Sequence, residues 1–244
     1  GGGVYVGANP GTATALITNS LIDGNSVSGS PGGSNGGGLR SAAGATVTLI
    51  NSTVSGNQAE LSGGGIFADN IVRLYNVTVA FNTADSEGDD NGNGGGIGIS
   101  AGTPLGVVTA RNSLISLNVD SSPTADQFAN CSGTLTGEGY SLLGSTTGCT
   151  LSGNLAGFRI GVAPFIGPLA DNGGPTKTMS LLPGSPAIAA GTSGTGIPTT
   201  DQRGLPRSGH VDIPPVLFDA LVQVIVRSML DVLYMFESTV CRRQ

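Results

Sequence analysis

An eleven-residue segment decides the fold, and it occurs four times: ALITNSLIDGN (15–25), VTLINSTVSGN (47–57), VRLYNVTVAFN (72–82) and VTARNSLISLN (108–118). The four copies align without gaps, and each has Asn at its fifth and eleventh positions. These residues are Asn19, Asn25, Asn51, Asn57, Asn76, Asn82, Asn112 and Asn118. A Gly-Gly-Gly-aliphatic run precedes every copy and ends at Val4, Leu39, Ile66 and Ile97. The chain is therefore built from an internal repeat.

Apolar and polar residues alternate within each copy. In the second copy, Val47 and Leu49 flank the polar Thr48, and Val54 follows the first Asn. Alternation over four or five residues is typical of a short, half-buried strand and fits no helical period. Each repeat therefore predicts three short strands: the glycine-aliphatic run, the segment before the first Asn, and the segment between the two Asn.

Three short strands in each repeat of roughly 25–35 residues predict an all-β fold, a right-handed parallel β-helix whose coils stack on one another. Asn tolerates the left-handed backbone geometry of a corner. Stacked Asn side chains can also form a hydrogen-bonded ladder along the stack, so we predict such a ladder for all eight Asn. The alternative is a β-sandwich, but two-residue Asn-Gly or Asp-Gly hairpin turns do not join the alternating runs.

Composition and charge argue against several classes of protein. The 244 residues include 42 Gly, only 11% charged residues and a formal net charge of −6. No basic cluster of the kind that binds a phosphate backbone is visible, so we expect no nucleic-acid partner. Three Cys and the single His210, to which we assign no role, cannot supply a Cys- or His-rich metal site. Few Lys and Cys and many small polar residues favour an exported protein.

Residues 165–213 contain four ordered motifs: DNGGPT (171–176), LPGSPAI (182–188), TDQRG (200–204) and a final segment from Arg207 to Asp212-Ile213. Together they resemble the closing module of bacterial surface proteins with right-handed parallel β-helix repeats, of the choice-of-anchor Q type. The resemblance covers most of residues 1–213 and implies a secreted or cell-surface protein, but it brings no catalytic residues. The sequence departs from the pattern at Ala189, where such proteins usually have Asp, and after Ile213.

We divide the chain into parallel β-helix coils (1–155), a closing module (156–213) and an atypical apolar tail (214–244). The chain begins within the repeat pattern, so we expect a fragment or a processed product. No Gly follows Gly209, which favours a reading-frame change or a fusion over a native extension. Polar residues recur every fourth position in the tail and predict a helix with one polar stripe: Asp219, Gln223, Arg227 and Asp231. Its charges disfavour a membrane span.

Two arginines are the candidates for chemistry. Arg73 and Arg111 are predicted to lie on outward positions of the same strand row, one coil apart. A polysaccharide lyase uses such a base to take the proton next to a uronate carboxylate, beside protein carboxylates that hold Ca²⁺. No Asp or Glu accompanies the two arginines on that strand, and solvated arginines are the simpler interpretation. The outward aromatic residues are expected to be scattered: Tyr5, Phe67 and Tyr75.

The sequence therefore favours a noncatalytic surface protein, structural or adhesin-like, that contacts glycans or other surface proteins. The alternative is a carbohydrate-active enzyme of the polysaccharide lyase type, or a fragment of one. The oligomeric state is not indicated.

An acidic loop and two cysteines complete the candidate sites. Asp85, Glu87, Asp89 and Asn91 alternate oxygen ligands with flexible residues, which suits Ca²⁺, although a hydrated insertion loop is the alternative. We expect no other cofactor. Cys131 and Cys149 bracket a segment rich in Gly, Ser and Thr, and we predict a disulfide between them that leaves Cys241 unpaired. Two buried thiols are the alternative.

Overall fold

A computed structural model describes residues 1–8, 10–29, 34–123, 127–207 and 211–213. These residues form twenty strands and no helix, so the all-β class is confirmed for this part of the chain. The predicted helical tail (214–244) and His210 lie outside the described residues. The strands are β1 Val4–Val6, β2 Ala13–Thr18, β3 Leu21–Asp23, β4 Ser26–Val27, β5 Leu39–Ser41, β6 Ala45–Ser55, β7 Gln58–Ala59, β8 Ile66–Ala68, β9 Ile71–Ala80, β10 Thr83–Ala84, β11 Ile97–Ile99, β12 Val107–Arg111, β13 Leu114–Ser116, β14 Val119–Asp120, β15 Cys131–Glu138, β16 Leu142–Leu143, β17 Cys149–Asn154, β18 Arg159–Ile160, β19 Ile166–Ala170 and β20 Thr178–Leu181.

Parallel pairing dominates the sheets. A fourteen-stranded parallel sheet contains two runs of neighbours: β1, β5, β8, β11 and the start of β15, then β2, β6, β9, β12, the rest of β15 and β17. We call these the first face and the second face. A separate four-stranded parallel sheet contains β4, β7, β10 and β14, and β19 pairs with β20 in antiparallel orientation. This architecture is compatible with a parallel β-helix.

The strand register follows the sequence repeat residue by residue. Val47 pairs with Ala15 on one side and with Val72 on the other, and Val72 pairs in turn with Val108. The glycine-aliphatic runs pair in the same way: Val4 with Leu39, Leu39 with Ile66, and Ile66 with Ile97. The ungapped alignment of the repeats is therefore also their pairing in space.

The strand bounds differ from those predicted. β6 and β9 run through the first Asn of their repeats, bending at Asn51 (φ 47°) and Asn76 (φ 55°). A short strand then follows the second Asn and builds the four-stranded sheet. Sequence reasoning missed this strand because two residues are too few to display an alternating pattern.

The inward side chains form one large apolar core. Leu39, Leu49 and Val54 are fully buried in it, as are their equivalents in the third repeat, whereas Val4 and Ile17 of the first repeat are partly buried. Burying a side chain of this size contributes about 1.5–3 kcal/mol, so the rows of aliphatic residues stabilise the paired strands. A second cluster joins the closing module to the repeats, with Leu181 and Ile213 packed near Leu114.

Close packing explains the glycine triplets. A Cβ atom on Gly64 would lie 2.3 Å from the carbonyl oxygen of Thr83, and one on Gly65 would lie 2.9 Å from the side-chain amide of Asn82. The preceding Gly63 has a φ of 70°, which disfavours other residues. The glycine run therefore lies against the short parallel sheet and the Asn side chains, where there is no room for a Cβ.

Parallel pairing continues beyond the fourth repeat. β15 pairs with β17, and β16 pairs with β18, so the parallel strands extend to Ile160. Tyr140 (φ 55°) occupies the bend that an Asn occupies in the repeats, and the hydroxyl of the next residue, Ser141, accepts a hydrogen bond from the Ser113 N–H. Cys131 and Cys149, on neighbouring strands, are joined by a disulfide with Cα atoms 5.3 Å apart.

Candidate functional site

The second Asn of each repeat belongs to a ladder of side-chain hydrogen bonds. The Nδ2 of Asn25 donates to the Oδ1 of Asn57, Asn57 donates to Asn82, and Asn82 donates to Asn118, each at 2.9 Å. The backbone N–H of each donor residue reaches the same oxygen, as in Asn57 to Asn82 at 3.1 Å. The ladder extends to Asn130 at 3.3 Å, a residue outside the repeat alignment. The ladder satisfies buried amides and is structural.

The first Asn of each repeat has a different role. Asn19, Asn51, Asn76 and Asn112 all have φ between 47° and 55°. Two of them bind the closing module instead of one another. Asn51 donates to the carbonyl oxygen of Thr200 at 2.9 Å, and Asn112 exchanges two hydrogen bonds with the backbone of Thr192, at 2.7 and 2.9 Å. Asn76, between them, is fully buried and its amide has no hydrogen-bond partner among the described residues.

The closing-module motifs meet at the same bend of the repeats. The Thr53 hydroxyl donates to the Oε1 of Gln202 at 2.8 Å. The neighbouring Asp201 is fully buried and forms an ion pair with Arg203 at 2.8 Å. Arg203 also donates to the carbonyl oxygen of Asn172 at 3.2 Å, which joins the TDQRG motif to the DNGGPT motif. These motif residues attach the module to the parallel strands.

The acidic loop does not gather its four predicted ligands. Asp85 is buried, whereas Glu87, Asp89 and Asn91 are exposed. The Asp85 carboxylate accepts hydrogen bonds from the N–H groups of Asp89 and Asp90 at 3.1 and 3.0 Å and from the Ser122 hydroxyl at 2.9 Å. Within the part of the chain that the structure describes, no group of three or more His, Cys, Asp or Glu is placed to hold a metal ion. The contacts of this loop therefore give Ca²⁺ binding no support.

Hydrogen bonding also controls the protonation of Asp85. Burial raises the pKa of this carboxyl, but the hydrogen bonds from Asp89, Ser122 and Asp90 act in the opposite direction and hold the pKa below its ordinary value of 3.8. The loop is thus built around an ionised carboxylate.

An aromatic row lies on the outside of the first face. Tyr5, Arg40 and Phe67 pair in register on successive strands, so two aromatic residues expected to be scattered share one row. The Arg40 Nε donates to Asp69 at 2.8 Å, and its guanidinium carbon lies 5.7 Å from the centre of the Phe67 ring. The Phe67 ring lies against Gly98, where a Cβ would come within 2.7 Å of it. The charge of Arg40 is thus already matched by a carboxylate.

The two candidate arginines lie on the outside of the second face. Arg73 pairs in register with Thr109, whereas Arg111 pairs with Tyr75. The arginines therefore lie on neighbouring strands of one sheet, as the sequence predicted, but two residues apart along them. This offset follows from the repeat alignment, in which Arg73 precedes Leu74 and Arg111 follows Ala110.

The two arginines also differ in their contacts. Arg111 donates to the carbonyl oxygens of Ser193 and Thr195, both at 3.3 Å, so the closing module holds its guanidinium. Arg73 makes no hydrogen bond or ion pair with any described residue. Burial raises the pKa of the nearby Tyr75, and so does the neighbouring Glu138 carboxylate. The arginines lower this pKa, but the net change is upward.

Hydroxyl groups continue the row of Arg73 across the second face. The residues in register with it are Thr48, Thr109, Thr136 and Ser152. The hydroxyls of Thr136 and Ser152 are 3.1 Å apart and share a hydrogen bond. The Oγ1 of Thr109 and the Nε of Arg111 are buried without a hydrogen-bond partner among the described residues. This face therefore combines a cation that lacks a protein partner with a line of hydroxyls.

Comparison with models of protein families, with curated proteins and with solved structures finds no match to this chain. None of the residues in the described ranges forms a helix long and apolar enough to cross a membrane. The part of the chain that the structure describes is thus all-β and built mainly on parallel sheets.

Proposed function

We propose that the chain is a right-handed parallel β-helix and serves as a noncatalytic structural or adhesin-like protein. It is secreted or lies on the cell surface, and its outer faces contact glycans or other surface proteins. One observation carries this proposal: equivalent residues of successive repeats pair in register on parallel strands. Outward side chains therefore form straight rows with a spacing of about 4.8 Å, the distance between neighbouring strands.

Such rows suit an extended ligand better than a small molecule. A glycan presents hydroxyl groups along its length, and its recognition depends on many modest polar contacts. The row from Thr48 to Ser152 combines Arg73 with hydroxyl groups on neighbouring strands, of which only the Thr109 hydroxyl is buried. The ladder of buried Asn and the closing module hold the strands that present this row, so less conformational entropy is lost on binding.

The disulfide supports an extracellular location. Disulfides persist in oxidising compartments and are rare in the reducing cytosol. The bond between Cys131 and Cys149 joins two strands of the large sheet. The resemblance of the closing-module motifs to those of surface proteins points in the same direction.

Binding to immobilised polysaccharides tests this proposal. The full chain should be retained on at least one of a panel of acidic and neutral polysaccharides, while heat-denatured protein should not be retained specifically. Circular dichroism of the same sample should be dominated by β structure. Absence of specific retention on every member of the panel would contradict the glycan-binding role.

A polysaccharide lyase is the second candidate function. The observation in its favour is that Arg73 has no hydrogen-bond or ion-pair partner among the described residues. A lyase base removes the proton next to a uronate carboxylate, the sugar–oxygen bond breaks, and an unsaturated product that absorbs in the ultraviolet is left. We expect no such product from polygalacturonate or alginate with added Ca²⁺. Turnover that Arg73→Ala abolishes would replace the noncatalytic proposal with this one.

A further inference from the structure

Arg73 is an arginine on the second face that forms no hydrogen bond or ion pair with the described residues. The other arginines nearby are engaged: Arg111 by two carbonyl oxygens of the closing module, and Arg40, on the first face, by Asp69. A guanidinium group recognises a carboxylate through two parallel hydrogen bonds. The geometry of Arg73 therefore suits an anionic group on a ligand.

The charges around Arg73 favour an anion. Three charged groups act on Tyr75: Arg73, Arg111 and Glu138. Together they carry one net positive charge. The Glu138 carboxylate lies close enough to Tyr75 to raise the pKa of its hydroxyl. This local excess of positive charge stands out in a chain whose formal net charge is −6. One partly exposed arginine is too little for a phosphate backbone, which requires several basic contacts.

Polar atoms without partners lie beside Arg73. Thr109 is its register partner on the next strand, and the Oγ1 of Thr109 is buried with no hydrogen-bond partner among the described residues. The Nε of Arg111, two residues along the same strand, is also buried and has no hydrogen-bond partner among the described residues. Both atoms are buried, so a ligand lying on this face contacts neither of them. The partly exposed members of the row are Thr48, Arg73, Thr136 and Ser152.

We infer that the second face binds an acidic polysaccharide, a glycan that carries uronate carboxylates, with Arg73 contacting a carboxylate and the row of Thr and Ser hydroxyls contacting sugar hydroxyls. This inference rests on the proposed glycan-binding function and specifies its ligand. A uronate glycan is the chemical class that combines both groups along one extended chain. The hydroxyl row continues over Thr136 and Ser152, so several sugar residues are contacted across neighbouring strands.

The experiment measures the affinity of the full chain for polygalacturonate fragments and for the same fragments after methyl esterification, which removes the charge and keeps the sugar backbone. Wild-type protein should bind the acidic form about ten-fold more tightly than the ester, with an affinity that falls as salt is added. Arg73→Gln should remove most of this difference. Arg73→Lys should have an intermediate effect, because it keeps the charge but loses the paired hydrogen bonds.

Arg159→Gln is the matched control. Arg159 lies exposed on β18, away from the Arg73 row, and its substitution removes the same charge. This variant should bind the acidic fragments like the wild type. Since Arg73 makes no bond with the described residues, Arg73→Gln should also keep the wild-type circular dichroism spectrum and thermal transition.

The outcomes separate this inference from the proposed function. Equal binding of the acidic and esterified fragments, or binding of neutral glycans alone, overturns the uronate contact and leaves a glycan-binding protein. Equal losses in Arg73→Gln and Arg159→Gln show an effect of overall charge and overturn the local contact. Absence of binding to every glycan overturns both proposals.

Discussion

The side-chain amide of Asn57 donates a hydrogen bond of 2.9 Å to the side-chain oxygen of Asn82, although the two residues are 25 positions apart in the sequence. The same oxygen accepts the backbone N–H of Asn57, and the Asn82 amide in turn donates to the carbonyl oxygen of Val54. Both residues are fully buried. A single carboxamide therefore serves two neighbouring repeats, and this is why the repeat keeps Asn at its eleventh position.

Replacing Asn82 with Ala should lower the free energy of unfolding by about 2–4 kcal/mol, because each buried group left without a partner costs about 1–3 kcal/mol. The substitution removes the acceptor of the two Asn57 donors and the donor to the Val54 carbonyl, while the Asn57 side-chain amide keeps two hydrogen bonds to backbone carbonyls. Urea titration followed by circular dichroism measures the change. Asn25→Ala is the control: Asn25 is only partly buried at the end of the ladder, so its loss should be smaller. Equal losses at the two positions would contradict the ladder as a source of stability.

The Cys131–Cys149 disulfide should stabilise the later strands. It closes a loop with a sequence separation of 18, and a crosslink over a loop of this size contributes about 3 kcal/mol by restricting the unfolded chain. Cys149→Ser should therefore lower the thermal midpoint, and a reductant should lower that of the wild type to a similar value. The variant itself should not respond to reductant. Peptide mapping without reduction provides the direct check, and recovery of both cysteines as free thiols from exported protein would contradict the bond.

Much of the strand pairing could be predicted from the sequence because the inward apolar residues, which form the core, have the same spacing in every repeat. The alternating residues around Val47 and Leu49 fix which side chains face inward, and the ungapped alignment fixes their register with Val72 and Leu74. Asn57 could be placed in a ladder because hydrogen bonding between identical side chains requires only that the same position recur. These are local or periodic properties, and one sequence is enough to reveal them.

The contacts of the closing module could not be predicted in this way. Thr53 and Gln202 are 149 residues apart, and no repeat relates them, so their hydrogen bond leaves no periodic signal. Asn51 looked equivalent to Asn57, yet its side chain lies at an outer bend and binds the Thr200 carbonyl. Tyr140 takes the place of an Asn at the next bend, so the repeat alignment based on Asn stops before it, although residues up to 155 were assigned to the same fold.

Gln202→Ala should loosen the closing module. Its buried side chain accepts from the Thr53 hydroxyl and donates to the Ser20 carbonyl and the Thr176 hydroxyl, at 2.8, 3.2 and 3.0 Å. Loss of these contacts should destabilise the attachment by about 1–3 kcal/mol. Limited digestion with trypsin, which cleaves after Arg, should then cut faster after Arg203.

The control for this digestion is Glu87→Gln, at an exposed position of the acidic loop. It should be digested at the wild-type rate. An unchanged rate for Gln202→Ala would mean that this glutamine does not hold the module in place.

Asp85 should make the protein sensitive to acid. Its pKa in the folded protein lies below the ordinary value of 3.8, because hydrogen bonds from Asp89, Ser122 and Asp90 outweigh the opposing effect of burial. A carboxyl whose folded pKa is lowered stabilises the fold above its unfolded pKa, and this contribution disappears as the pH falls through the folded pKa. The urea midpoint of the wild type should therefore drop between about pH 5 and about pH 2.

Asp85→Asn, which cannot ionise, should be less stable at neutral pH and should show a smaller drop. Glu87→Gln, which removes an exposed carboxyl from the same loop, should follow the wild-type profile. Identical pH profiles for Asp85→Asn and the wild type would show that Asp85 does not carry the acid sensitivity.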